Sequence, residues 1–205
     1  PYAKEGGVAP KLVASFRSTL DEIVQSDLVL HVIDRSHPRW QEQKDIAEAV
    51  MKELGIGVAF APQRLGLSEA VLKDYTLGTE RSARFAPAAS AQRRGLAVLL
   101  YADPALVAPA PFGVMAAAIK RPLGDDQQLS PLDALKALTL LPARQLGEEK
   151  IKGSIATGKL ADFAILSANP LKTAPEKLGE IRVTGTIKEG VTVFGGADGG
   201  VPLTR

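Results

Sequence analysis

At 205 residues, with 45% hydrophobic side chains, the chain is long enough to bury one sizeable core or two small ones. Its 25 basic and 23 acidic side chains leave a net charge of +2, and no run of five like charges occurs, so charge implies neither nucleic acid nor an anionic membrane as a partner. Cysteine is absent, which excludes disulfides, thiolate metal sites and a thiol nucleophile, and accords with a reducing, cytoplasmic setting.

The chain begins Pro1-Tyr2-Ala3-Lys4-Glu5, without a signal-type apolar run, and a leading proline is expected of a trimmed sequence. No segment approaches the roughly 18 apolar residues of a membrane-spanning helix. Leu12, Phe16, Leu20, Ile23 and Val24 recur at helical spacing behind Pro10, predicting an amphipathic helix. Leu28 to Ile33 is a continuous apolar run between Asp27 and Asp34, as in a parallel strand covered on both faces. Pro38 opens a helix expected over Gln41 to Leu54, stopped by Gly55, and a short strand follows at Gly57 to Ala61. Strand, helix and strand in this order form a βαβ unit, whose two strands are expected to run parallel with a right-handed crossover.

From Pro62 to Arg94 the pattern is helical but broken, with one piece over Leu67 to Tyr75 and another ending at Gly95. Leu96 to Leu100 reads as a third buried strand, and Asp103 follows its end almost directly. Catalytic groups of a βα barrel sit at the carboxyl ends of strands, which makes Asp103 the first candidate for chemistry. A carboxylate before Pro104 also suits a plain turn. The proline-rich run Asp103 to Pro111 predicts an extended loop. Ser130, Pro131 and Asp133 mark a helix start, continuing through Leu135 and Leu138 towards Leu146 and Gly147. Beyond it the character turns to β over Gly153 to Leu166, Arg182 to Lys188 and Thr192 to Phe194, with a hairpin expected at Lys188 to Val191. The glycine-rich stretch 196–205 is expected to be a disordered tail.

SPLDALKALTLLPARQLG, GSIATGKLADFAILSANPL and IRVTGTIKEGVTVF, between Ser130 and Phe194, resemble the closing part of amidohydrolase-superfamily enzymes, in the branch of the N-substituted formamide deformylases. Upstream, MKELGIGVAFAP from Met51 and GTERSARFAPAASAQRRGLAVLL from Gly78 resemble the seventh- and eighth-strand region of that family. The resemblance implies a βα barrel flanked by a small β-sandwich, a metal-dependent hydrolase of C–N bonds other than peptide bonds, and a small-molecule amide substrate. It places Asp103 at the family aspartate that binds the metal, zinc or another divalent ion, and accepts a proton from the attacking water. In the sandwich, Gly153 and Gly158 would permit a tight reversal, and Asp162 would start a strand. Tyr101 stands where many relatives carry histidine, and the first-strand His-X-His pair is missing. A hydrolytic metal takes about three protein ligands and an open position, so a site built on one aspartate is expected to bind none.

The two histidines of the chain, His31 and His37, lie in a different resemblance. LVASFRSTLDEIVQSDLVLHVIDRSHPRWQEQKDIAEAVMKELG, within residues 11–55, is similar to the middle of the G domain of HflX-type ribosome-associated GTPases. The phosphate loop and the Asn-Lys-X-Asp guanine-reading segment that flank that region in the family are not matched, which disfavours nucleotide binding. His31, near the end of an apolar strand, is expected to pack in a core, and His37, before Pro38, to lie at a helix start or on the surface.

The sequence thus predicts an α/β fold in four parts. Residues 1–55 form a GTPase-like βα segment, 56–147 the end of an amidohydrolase barrel with a partial parallel sheet, 148–195 a small antiparallel β element from the flanking sandwich, and 196–205 the tail. The leading functional expectation is an amidohydrolase fragment, inactive alone. A non-catalytic binding module, docking through Arg35, Arg39 and Trp40, and a GTPase remnant are the alternatives. Open parallel strands also carry a tendency to self-associate.

Overall fold

A computed structural model describes residues 33–67, 69, 71–104 and 110–195. The chain divides between Leu54 and Gly55 into two compact units. The expected helix behind Pro10, the run Leu28 to Ile33 except its last residue, His31, and the tail 196–205 fall outside the described residues.

The described part of the first unit is a turn and one helix. Asp34 Oδ1 accepts the Ser36 N–H at 2.9 Å and the Ser36 hydroxyl at 2.6 Å, and the hydroxyl contact is the main reason its carboxyl titrates below the usual range. Helix α1 spans Trp40–Glu53. His37 lies at its start, where Nδ1 accepts the Arg39 N–H at 3.1 Å and the carbonyl accepts the Trp40 N–H at 3.0 Å. The i,i+4 pair Lys44–Glu48, at 2.9 Å, supports the helix surface. No residue of α1 is buried within the chain.

The second unit begins with strand β1, Gly57–Phe60, and returns in strand β2, Ala97–Leu100. The two are parallel, with Gly57 opposite Ala97 and Phe60 opposite Leu100. The connection carries helix α2, Gln63–Leu67, a π-helical turn at Val71–Thr76, α3, Gly78–Ala83, and α4, Ala88–Arg93. Of the helical piece expected over Leu67 to Tyr75, the described residues from Val71 onward form a wider, π-helical spiral, in which the Leu77 N–H reaches back five residues to Leu72 O at 2.8 Å. In β2 only Val98 and Leu100 are buried and the alternate residues are half-buried, so the strand is not covered equally on its two faces.

After Ala110 the chain enters helix α5, Pro111–Ile119, with the proline at the first turn. No periodic signal marks this helix, since FGVMAAAI is apolar all round and shows no polar face to count. Its Val114, Met115 and Ala118 join Val98 and Leu100 of β2 in the core, beside Ala134 and Ala137 of α6 (Pro131–Leu138) and Leu178 of the 3-10 turn Pro175–Glu180. The helix expected to continue towards Leu146 breaks at Thr139, φ −130° and ψ −78°, and resumes as α7, Leu140–Gln145. Pro142 has no N–H to offer the Leu138 carbonyl, so the ladder cannot run through.

Strands β3, Phe163–Leu166, β4, Val183–Lys188, and β5, Val191–Gly195, form an antiparallel meander in that order. The expected hairpin is present: Lys188 pairs with Val191, and Glu189 and Gly190 take positive φ of 52° and 81°, the geometry of a two-residue primed turn. Residues 153–162 are turns rather than strand, because Gly153 and Gly158 both sit at φ +87°, where a β ladder cannot continue.

Candidate active site at the strand ends

Because β1 and β2 are parallel and in register, whatever follows Phe60 lies beside whatever follows Leu100. The ladder extends one step further, the Tyr101 N–H donating to Phe60 O at 3.0 Å. Arg64, four residues past the end of β1, and Asp103, three past the end of β2, therefore meet, with Arg64 Nε 3.4 Å from Asp103 Oδ2. The carboxylate side chain is 21% exposed and the guanidinium 48%. Arg64 is held by the first turn of α2, where its N–H donates to Ala61 O at 3.1 Å. Next to it, Gln63 Oε1 is buried and accepts no hydrogen bond among the described residues. The Gln63 amide approaches α5 at Gly113, whose missing Cβ would lie 3.0 Å from Gln63 Nε2.

Asp103 thus occupies the strand-end position that the sequence assigned to it. The described residues around it do not make up a metal centre. Zinc is held by about three protein ligands with a further position left open, and among the described residues no group of three or more His, Asp or Glu side chains is arranged to hold an ion. Arg64, placed beside Asp103, is a cation rather than a second donor. His37 belongs to the first unit and is engaged at the start of α1.

Two other features bear on function. A groove of about 930 Å³ opens beside α5 and α6, lined chiefly by Phe112, Leu135, Leu138, Phe163, Leu166 and Val183, and Asp103 does not line it. The loop Gly153 to Lys159 has the glycine–lysine spacing of a phosphate loop, G-x-x-x-x-G-K, with Leu160 where a serine or threonine would stand. It leads to β3 rather than into a helix, and the Lys159 ammonium is turned inward to Glu149 O, to Ser154 Oγ at 2.7 Å and to Lys152 O at 3.4 Å. A lysine held this way ties its own loop together and presents nothing to a phosphate.

In the first unit, two of the three residues expected to form a docking surface contact each other, and the third pairs with Glu42. Arg39 makes a two-pronged pair with Glu42, both contacts 2.6 Å, and Arg35 lies 5.1 Å from the Trp40 ring centroid.

A match to the Amidohydrolase family covers residues 18–194. The chain belongs to that family. Among similar proteins, the N-substituted formamide deformylase of Arthrobacter pascens is 31% identical over 111 residues, 51% of this chain and 20% of the deformylase. The GTPase HflX of Gluconacetobacter diazotrophicus is 41% identical over 58 residues, 28% of this chain and 12% of the GTPase. A solved adenosine deaminase from Xanthomonas campestris, with bound zinc, shares the fold at a TM-score of 0.52 and 23% identity, over 73% of this chain and 34% of the deaminase. The chain spans a fifth or less of the length of the two relatives compared by sequence. The family match begins at residue 18, inside the stretch whose motifs resemble the GTPase, and runs across the boundary at Gly55 without being confined to the second unit. No helix among the described residues is long and apolar enough to cross a membrane.

Proposed function

We propose that this chain is the carboxy-terminal portion of a hydrolase of C–N bonds other than peptide bonds, and that it does not carry out the hydrolysis alone. The supporting observation is the placement of Asp103 at the carboxyl end of a parallel strand, where βα barrels hold their chemistry, in a chain of the Amidohydrolase family. On this reading residues 56–147 supply the last strands of a barrel, 148–195 belong to a flanking sandwich, and the substrate is a small amide. Asp103 would be the group that takes a proton from water once further donors surround it. The test is an assay of the purified chain on N-substituted formamides and N-acyl amino acids with zinc added. No turnover is expected, and turnover abolished by Asp103→Ala would overturn the claim of inactivity while supporting the role of Asp103.

A second reading rests on the Arg35–Trp40 contact in the first unit. Residues 1–55 would act as a binding module for a ribosome or another protein, independent of nucleotide. Trp40 is the single tryptophan of the chain, so its fluorescence reports directly on such docking. A change on titration with ribosomes supports this reading, and an unchanged signal at saturating ribosome concentration removes the ribosome as the partner. Fluorescent GTP analogues are expected to bind no more tightly than millimolar, since the chain contains no complete phosphate-loop motif.

A further inference from the structure

We infer that Arg64 is a resident counter-cation for Asp103, and that the pair closes the strand-end position to a divalent metal. The inference rests on the assignment of Asp103 as the strand-end carboxylate, but not on any hydrolysis.

The parallel register of β1 and β2 fixes the two residues on the same side of the sheet. Asp103 is mostly shielded, with a carboxylate oxygen 3.4 Å from Arg64 Nε. A shielded carboxylate needs its charge balanced, by a metal or by a basic side chain. Here the balancing charge is covalently part of the chain, and a guanidinium cannot be removed by deprotonation at ordinary pH. A divalent ion approaching Asp103 would meet a like charge at contact distance and would find no second and third ligand among the described residues. The short helix α2 places Arg64 by its backbone bond to Ala61, so the cation is positioned by the fold around the end of β1 rather than by a mobile loop. Asp103 and Arg64 consequently act as a structural link between the end of β2 and α2. Arg64 is a positioning residue, holding the carboxylate in place.

The experiment combines zinc titration with a double-mutant cycle, neither of which reads hydrolysis. Calorimetric titration of the full chain with zinc is expected to show no saturable submicromolar site, and Asp103→Asn is expected to leave that titration unchanged. Arg64→Gln and Asp103→Asn should each lower the Tm by about 1–3 °C, and the double variant should fall no further than the larger single loss. Arg64→Lys, which keeps the charge, should retain most of the stability and serves as the readable variant if Arg64→Gln does not fold. A stoichiometric tight zinc site in the wild-type chain that disappears in Asp103→Asn would overturn the inference. Strict addition of the two stability losses would overturn it as well. Neither readout depends on turnover in the hydrolysis assay, so the two proposals fail separately.

Discussion

Asp162, the residue immediately before β3, accepts the backbone N–H of Glu189 through Oδ1 at 2.7 Å, while the next N–H, of Gly190, donates to Ala161 O at 3.0 Å. Two residues ahead of one strand thereby fasten the turn that joins the other two strands, 27 positions further along the chain. Glu189 is a non-glycine residue at positive φ, a conformation that needs support from its surroundings. Removing the acceptor with Asp162→Ala is expected to cost about 1 kcal/mol. Amide exchange at Glu189 and Gly190, followed by NMR, should accelerate in that variant and much less in Asp162→Asn, which keeps the acceptor oxygen. Unchanged exchange in Asp162→Ala would show that the meander holds its turn without this tether.

Gly153 and Gly158 share φ +87° but not their surroundings. A Cβ on Gly153 would come within 2.5 Å of the Ala143 Cβ and 3.2 Å of both Leu140 Cα and Thr139 O, whereas nothing lies within 4 Å of one on Gly158. Gly158→Ala should therefore cost only the conformational strain, about 1 kcal/mol. Gly153→Ala adds a clash with the Ala143 methyl and tight contacts to the backbone at the α6–α7 break, and should cost more, about 2–4 kcal/mol. Urea denaturation of the two variants checks the order, and equal losses would refute the packing argument.

The start of α6 sets a pH dependence. Ser130 Oγ accepts the Asp133 N–H at 3.1 Å and its hydroxyl donates to Asp133 Oδ2 at 2.6 Å. The Ser130 hydroxyl, and secondarily Gln92, hold the Asp133 carboxyl below the usual aspartate value. A carboxyl whose folded-state pKa is depressed contributes stability that is present above its unfolded value, about 3.9, and is lost as pH falls through the lower folded value. Ser130→Ala is expected to cost about 1 kcal/mol at neutral pH through loss of the cap. It should also weaken the fall in stability below pH 4, because Asp133 then titrates closer to its unfolded value. Stability measured from pH 2 to pH 7 in both proteins distinguishes the cap from a generic surface change.

Arg121 is 4% exposed and donates to three carbonyls: Leu123 O at 3.2 Å from Nε, Ala86 O at 2.9 Å from Nη1 and Phe85 O at 2.6 Å from Nη2. Burial is the main influence on its guanidinium and lowers the pKa, with Asp126 acting in the opposite direction. It pins the segment after α3, including Ala86 at φ +48°, to the turn after α5. Arg121→Met keeps much of the apolar stem but strands the carbonyls and should cost about 3 kcal/mol. A thermal shift no larger than that of an exposed substitution such as Arg84→Met would show that solvent satisfies those carbonyls equally well.

The sequence alone determined the features that depend on neighbours in the chain. The Ser130 cap, the Pro-and-Gly boundaries of α1, the primed turn at Glu189-Gly190 and the parallel pairing of the runs around Val58 and Val98 were all readable from spacing and residue type. Asp103 was readable as a strand-end carboxylate for the same reason, since it directly follows an apolar run. What surrounds Asp103 was decided only in three dimensions. Arg64 lies 39 positions away in an unremarkable QRLG segment, and only the register of β1 on β2 brings its guanidinium to the carboxylate. The same holds for the uniformly apolar α5, the break at Thr139 and the three carbonyls gathered by Arg121. Local propensity fixes elements and their ends, because it acts through bonds and near neighbours, whereas the partner of a charged group is set by packing between segments far apart in the chain.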